Sequence, residues 1–187
     1  MLRAAQPPPA KAASAAATKQ LMNASLAIRR VSSGDLDAIR RIYNEGIEDR
    51  VATLDTDPKS DEAIMQWWSQ HDERYVILVA TESGEVVAWA SLNRFSHRCA
   101  HSEIADLSVY VARVHRSKGI GYSLVTRLAD EARKGAFHKI VLHALDGNEH
   151  GKRLYRKAGF VEVGVFKDHG LLDGRYVDVI AMEHLLR

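Results

Sequence analysis

Hydrophobic positions change period several times along the chain, and each change marks an element. Leu26 to Val31 reads as a strand. The SSGD that follows supplies a turn, with Ser32 or Ser33 capping a helix from Asp35. Leu36, Ile39, Ile42 and Tyr43 recur at helical spacing, and this helix is expected to end near Gly46. EDRVATLDTDP is a polar loop stopped by Pro58, and Ser60 caps a second helix through AIMQWW. Its adjacent Trp67 and Trp68 cannot face the same way, so at least one is available to line a groove. YVILVA and VVAWASLN are strands joined by ESGE as a hairpin. RFSHRCAHS is a polar connection to EIADLSVYVA. That strand places Asp106, Ser108 and Tyr110 on one face, and Leu107, Val109 and Val111 on the other. A helix with a broad apolar stripe runs from Ile120 to Arg133 and stops at Gly135. A strand from Lys139 to Ala144 follows, then a short helix from Asn148 to Lys157, broken by Gly159. FVEVGVF reads as a strand, KDHGLLDG as a loop and RYVDVIAMEHL as the last strand. The order β-α-α-β-β-β-α-β-α-β-β predicts a mixed α+β layer rather than a regularly alternating doubly wound sheet.

Composition adds bounds more than direction. A length of 187 residues suits one domain with a sizeable core. A net charge of +2 gives no general reason to expect nucleic-acid binding. The single cysteine, Cys99, excludes an intrachain disulfide. His97 and His101 flank it without the spacing of a zinc site, and no metal is expected. Residues 1–25 are rich in Ala and Pro and free of acidic residues, so they read as a flexible extension to a folded domain spanning residues 26–187. An organellar leader, or a start at Met22, are the other readings of that segment. No apolar run approaches the roughly 20 residues of a spanning helix. No membrane association is expected, and the cytoplasm is the expected location.

The candidate chemistry begins at VHRSKGIG, Val114 to Gly121, between a strand end and an amphipathic helix. The first N–H groups of a helix lack internal partners, and its dipole adds positive potential there. Glycines let a ligand approach the backbone, and Arg116 and Lys118 add charge. From Val111 to Lys139 there are seven Arg or Lys residues against only Asp130 and Glu131, so the field is locally positive. Together these point to an anion site of phosphate or pyrophosphate kind. Neither GxxxxGK[ST] nor GxGxxG is present, which argues against a nucleotide loop or a dinucleotide fold.

In this order of elements, Arg116-Ser117-Lys118-Gly119-Ile120-Gly121 resembles the R-x-x-G-x-G of the GNAT superfamily of N-acetyltransferases. NEHGKRLYRKAGFVEVG, Asn148 to Gly164, is similar to that family's second cofactor-side helix and following strand. The resemblance runs from about Leu26 to Arg187. It implies an acyl-CoA N-acyltransferase fold, a central mixed twisted sheet flanked by helices. It implies acetyl-CoA as co-substrate, its pyrophosphate on the amides of Arg116, Ser117, Lys118, Gly119, Ile120 and Gly121. The strand Leu107 to Val111 should splay from IVLHA. The backbones of Leu107, Val109 and Val111 would then line the pantetheine arm, with Asn148 beside it. YNEGIEDRVATLDT and KDHGLLDGRYVDV resemble the phosphinothricin acetyltransferase branch, which acetylates small amino acids. The glutamate common before S/T-V-Y-V in that branch is here the shorter Asp106, and a loop aromatic is replaced by Leu54.

The implied reaction is direct attack of a neutral primary amine on the thioester, with no acyl-enzyme. Protonated amines need a proton acceptor. Asp106 is the candidate base, directly or through water, and Glu103, on the opposite strand face, is the alternative. The resemblance places Tyr155 beside the cofactor sulfur as general acid. Glu48, Arg50, Thr53, Tyr110 and His169 are acceptor-side candidates, Arg50 as partner for a carboxylate. The expected acceptor is a small amino acid or an analogue such as phosphinothricin or methionine sulfone or sulfoximine, and a homodimer is the expected assembly. The competing readings are a protein or peptide N-terminal acetyltransferase, with an open groove, and a non-catalytic acyl-CoA-binding sensor.

Overall fold

The computed structural model describes residues 26–186, so the extension expected over residues 1–25 lies outside the described residues. Seven strands form one sheet in the order β1-β2-β3-β4-β5-β7-β6. They are β1 Leu26–Arg30, β2 Ile77–Glu82, β3 Glu85–Arg94, β4 Ile104–Val111, β5 Lys139–Leu145, β6 Val161–Leu172 and β7 Arg175–Leu185. The helices are α1 Leu36–Glu48, α2 Asp61–Trp68, α3 Ile120–Lys134 and α4 Glu149–Lys157. The expected element order and mixed sheet are thus present. β4 and β5 pair in parallel and all other neighbours are antiparallel.

Alternation along β4 divides the core. Ala105 and Leu107 pack with Leu124, Val125 and Leu128 of α3 and with Ile140 and Leu142 of β5. On the other face, Ile39 and Ile42 of α1 and Ile64 of α2 pack on Ile77, Val79 and Trp89, with Tyr110 against them. Local signals start the helices as expected. The Ser60 hydroxyl accepts the Ala63 N–H at the head of α2, and the Asn148 side chain accepts the Gly151 N–H at the head of α4. Before α1, Asp35 accepts from Ser32 N–H and Oγ–H, and the Arg29 guanidinium bonded to it holds its carboxyl down at about 2.

Two boundaries differ from the sequence reading. Gly46 does not end α1; it is buried inside a helix that continues to Glu48. KDHGLLDG is not a loop. β6 runs on to Leu172, and only Asp173 and Gly174 separate it from β7. Its pairing with β7 slips between Glu162 and Gly164 and again between Phe166 and Gly170. Bulges absorb the residues that break the alternation, with Asp168 at φ 50°.

Candidate active site

The break that positions the site is in the middle of the sheet. β4 and β5 pair through Ile104↔Lys139, Ala105↔Ile140 and Asp106↔Val141, and no further. Ala112 N–H donates to Val87 O of β3 at 2.9 Å. By alternation, the even-numbered residues of β4 turn their backbone groups to β3, while Leu107, Val109 and Val111 turn theirs toward the vanished partner. The splay expected between these strands is therefore present. Val111 O accepts from Arg116 Nε at 3.0 Å, which leaves the polar groups of Val109 for a ligand.

A cleft of about 570 Å³ opens along this gap. Val109 and Val111, the loop through Arg116, Ser117 and Gly119, and Ile120 and Gly121 of α3 line it, with Asn148 and Tyr155 opposite. Leu107 is buried in the core and Lys118 is exposed; neither belongs to the lining. Ser117 at φ 62° and Gly119 at φ 84° bend the loop so that it feeds α3. The first intrahelical bond is Ser123 N–H to Gly119 O at 3.1 Å, so the amides of Ile120, Gly121 and Tyr122 precede the helical ladder.

Gly121 lines the cleft, and its missing side chain also serves packing, because a Cβ there would lie 2.7 Å from Leu154 Cδ1 of α4. One expectation about this loop needs correction. The Arg116 side chain is spent inside the protein, on Val111 O and on Asp49 Oδ2. It braces the loop against the end of α1. Cationic groups at the cleft come instead from Arg153 and Lys157 of α4, with His150, whose Nδ1 accepts from Arg153, one turn before them. Their spacing of three and four in the sequence was a readable signal of one helix face.

A second cavity of about 660 Å³ lies on the α1–α2 face of the sheet. Tyr43, Trp67, Trp89 and Tyr110 form an aromatic wall: Trp89 stacks on Tyr110 at 4.9 Å between centroids, and Tyr43 and Trp67 approach Trp89 at 5.7 and 5.3 Å. Trp67 is thus the tryptophan that lines a groove. Polar groups enter from Lys59, His71, Asn93, Arg94 and Ser108. Tyr43 donates its hydroxyl to Asp55 Oδ2, and burial together with that carboxylate pushes the phenol up to about 12. Tyr110 borders both cavities, and burial pushes its phenol well above the ordinary tyrosine value.

Asp106 lines neither cavity itself; it stands on the same β4 face as Ser108 and Tyr110, which do, where the strands part. Its side chain is about a third exposed, and His143 Nδ1 of β5 lies 3.8 Å from Oδ1. That separation exceeds a direct hydrogen bond and suits a shared water. The pairing Asp106↔Val141 brings His143 there, two residues farther along the same face of β5. Glu103 sits before β4, with its carboxylate 3.7 Å from His138 and away from both cavities. Tyr155 is half-buried on the cleft wall, and burial, with the nearby Tyr110 phenol and Asp106 carboxylate, pushes its phenol well above the usual range.

The other acceptor-side candidates are held elsewhere. Glu48 pairs with Arg113 at 3.2 Å. Arg50 donates to Thr56 O at 2.9 Å and faces Asp173 at 3.5 Å, which ties its loop to the β6–β7 turn. Thr53 is the exception: its Oγ1 accepts from Asp55 N–H at 3.1 Å, and its side chain also reaches the Tyr43 and Tyr110 hydroxyls behind the aromatic wall, whereas His169 stacks on Phe166 at 4.7 Å. None of these four lines either cavity. Among the described residues, no group of three or more His, Cys, Asp or Glu is placed to hold a metal ion.

Residues 36–160 match the model of the acetyltransferase (GNAT) family. An L-methionine sulfoximine/L-methionine sulfone acetyltransferase of Salmonella typhimurium is 30% identical, over 84% of this chain and 93% of that protein. The crystal structure of a ribosomal-protein-alanine N-acetyltransferase from Brucella melitensis is similar with a TM-score of 0.82 at 32% identity, over 85% of this chain and 99% of that one. A phosphinothricin acetyltransferase from Sinorhizobium meliloti, solved with acetyl-CoA, is similar with a TM-score of 0.81 at 26% identity, over 86% and 88%.

Proposed function

The chain belongs to the acetyltransferase (GNAT) family and is an acetyl-CoA-dependent acetyltransferase, and we propose that its acceptor is the primary amine of a small amino acid or amino-acid analogue. The phosphinothricin and methionine sulfoximine or sulfone activities of its relatives support that class. The observation that carries the reading is the pair of cavities that meet at Tyr110, where β4 leaves β5. A cavity of about 660 Å³ walled by aromatic rings and edged with a few polar groups suits a small molecule.

Bound acetyl-CoA supplies the activated acetyl group. The residues of the chain bind, orient and move protons. The open N–H groups at the head of α3, with Arg153 and Lys157 nearby, hold the diphosphate. The free backbone groups of Val109 and the Asn148 amide align the pantetheine arm, so that the thioester lies at the splay. Asp106 takes the proton of the incoming amine through a water shared with His143. Tyr155 gives a hydrogen bond to the departing sulfur.

Acetyl-CoA-dependent CoA release, followed over amino acids, their sulfoximine and phosphinic analogues, polyamines and peptides, tests the acceptor. Turnover of the first two groups is expected. Turnover of peptides alone would favour the N-terminal protein acetylation suggested by the Brucella relative. CoA binding without turnover anywhere would make the protein a sensor.

A homodimer through β6 is also proposed. This edge strand leaves Val161, Val163 and Val165 exposed, together with Phe166 and Leu171. Light scattering is expected to give twice the chain mass, and Val163→Glu to give the single mass. A wild-type monomer at micromolar concentration would refute the dimer.

A further inference from the structure

His71 lies between α2 and β2 at the edge of the proposed acceptor cavity, and both of its ring nitrogens are engaged. Nδ1 is 2.9 Å from Trp67 O. A carbonyl only accepts, so Nδ1 carries a hydrogen. Nε2 is 3.0 Å from one end of the Asn93 amide, and that same end is 3.0 Å from Ser91 Oγ. The other end of the amide is 3.1 Å from Ser108 Oγ. Ser91 is wholly buried, whereas Ser108 borders the cavity two residues from Asp106 on the same strand face.

Two arrangements satisfy this network. With the Asn93 oxygen toward His71, Nε2 must donate, so the imidazole is a cation and Ser91 also donates to that oxygen. Asn93 Nδ2 then donates to Ser108, whose own hydroxyl hydrogen is left for the cavity. With the amide turned by half a rotation about Cβ–Cγ, Nδ2 donates to a bare Nε2 and to Ser91, and His71 is neutral. Ser108 then donates to the Asn93 oxygen and shows only lone pairs to the cavity. The two differ by one proton on His71 and by the sign of the hydrogen bond that Ser108 offers.

We propose that His71, acting through Asn93, decides whether Ser108 presents a lone pair or a hydrogen to the acceptor amine. This rests on the reading of that cavity as the acceptor pocket. With His71 neutral, Ser108 accepts an amine N–H and leaves the amine lone pair free for the thioester. With His71 protonated, the Ser108 hydroxyl donates to that lone pair and competes with attack. His71 and Asn93 are positioning residues. The charged and titratable groups around His71 are Asp72 beside it, Tyr75 ahead of β2, and Arg94 and His97 at and beyond the end of β3. The Lys59–Asp55 pair lies across the cavity.

Nuclear magnetic resonance of the whole protein, without acceptor, reads the relay directly. Neutral His71 is expected as the Nδ1–H tautomer, and the Asn93 side-chain amide resonances should shift with the His71 midpoint. Amide resonances indifferent to the His71 titration, or a neutral ring protonated at Nε2, would overturn the relay. In the CoA-release assay, kcat/KM should lose about tenfold as His71 protonates, the worth of one hydrogen bond at the amine. Asn93→Asp should abolish that step, because a carboxylate only accepts and so keeps the Ser108 lone pairs toward the cavity. A coupled titration with no kinetic step, in protein that turns over an amino-acid acceptor, would overturn the effect on the amine, whereas absence of turnover across the amino-acid panel would overturn the acceptor reading itself. A missing coupling overturns the relay alone.

Discussion

Asp106→Asn is expected to lower kcat by about 10²- to 10³-fold, the usual worth of a positioned base, with the KM for acetyl-CoA changed little. The substitution keeps shape and removes only the ability to take a proton. The contacts proposed for acetyl-CoA lie along the cleft at Val109 and the head of α3, away from the Asp106 side chain, so its binding should be separable from the loss. The His143 imidazole lies 3.8 Å from the Asp106 carboxylate, beyond a direct hydrogen bond, so the neutral amide breaks no bond to it. The loss should be largest below the acceptor amine's own pKa and shrink as alkaline buffer delivers free amine. A structural defect would instead lower the rate equally at all pH values. Glu103→Gln is the control, and because that carboxylate faces His138 outside both cavities, its kcat should stay near wild type. Near-wild-type turnover by Asp106→Asn with a crippled Glu103→Gln would reverse the assignment.

How much of this was legible follows from which interactions are local. Ser60 and Asn148 cap their helices as the sequence implies, since a cap needs only a side chain and an N–H three residues on. The faces of β4 were readable for the same reason: alternation separates Asp106, Ser108 and Tyr110 from their neighbours without any partner strand. His143 was not readable as a neighbour of Asp106, because that depends on the parallel register Asp106↔Val141, fixed only when α3 packs. The cavity on the α1–α2 face was missed in the same way. Lys59, His71 and Asn93 come from separate segments of the chain, and only Trp67 and Tyr110 carried a hint. Arg116 misled for an electrostatic reason. A basic residue beside a glycine loop reads as a ligand for an anion, but Asp49 and the Val111 carbonyl are nearer partners than any solvent-borne one. KDHGLL read as a loop because its pattern breaks alternation, and a bulged strand breaks it too.

Tyr155→Phe should lower kcat by about 10- to 10²-fold, less than a full general-acid loss. The reason lies in the phenol's environment. Burial, and then the neighbouring Tyr110 phenol and Asp106 carboxylate, hold its pKa well above the ordinary tyrosine value. A free thiol ionises near 8.5, so outright transfer of the Tyr155 proton to the leaving sulfur runs uphill, and a hydrogen bond to the developing thiolate is the favourable form of help. Two consequences separate this from a proton donor of matched pKa. The wild-type pH–rate profile should show no alkaline fall from Tyr155 below about pH 10, because the buried phenol keeps its hydrogen throughout that range. A thioester whose thiol is more acidic than that of CoA should be nearly indifferent to Tyr155→Phe, because its sulfur leaves without assistance. An alkaline limb near pH 8 that vanishes in Tyr155→Phe would show a phenol that ionises during turnover, and would replace hydrogen bonding by proton donation at this residue.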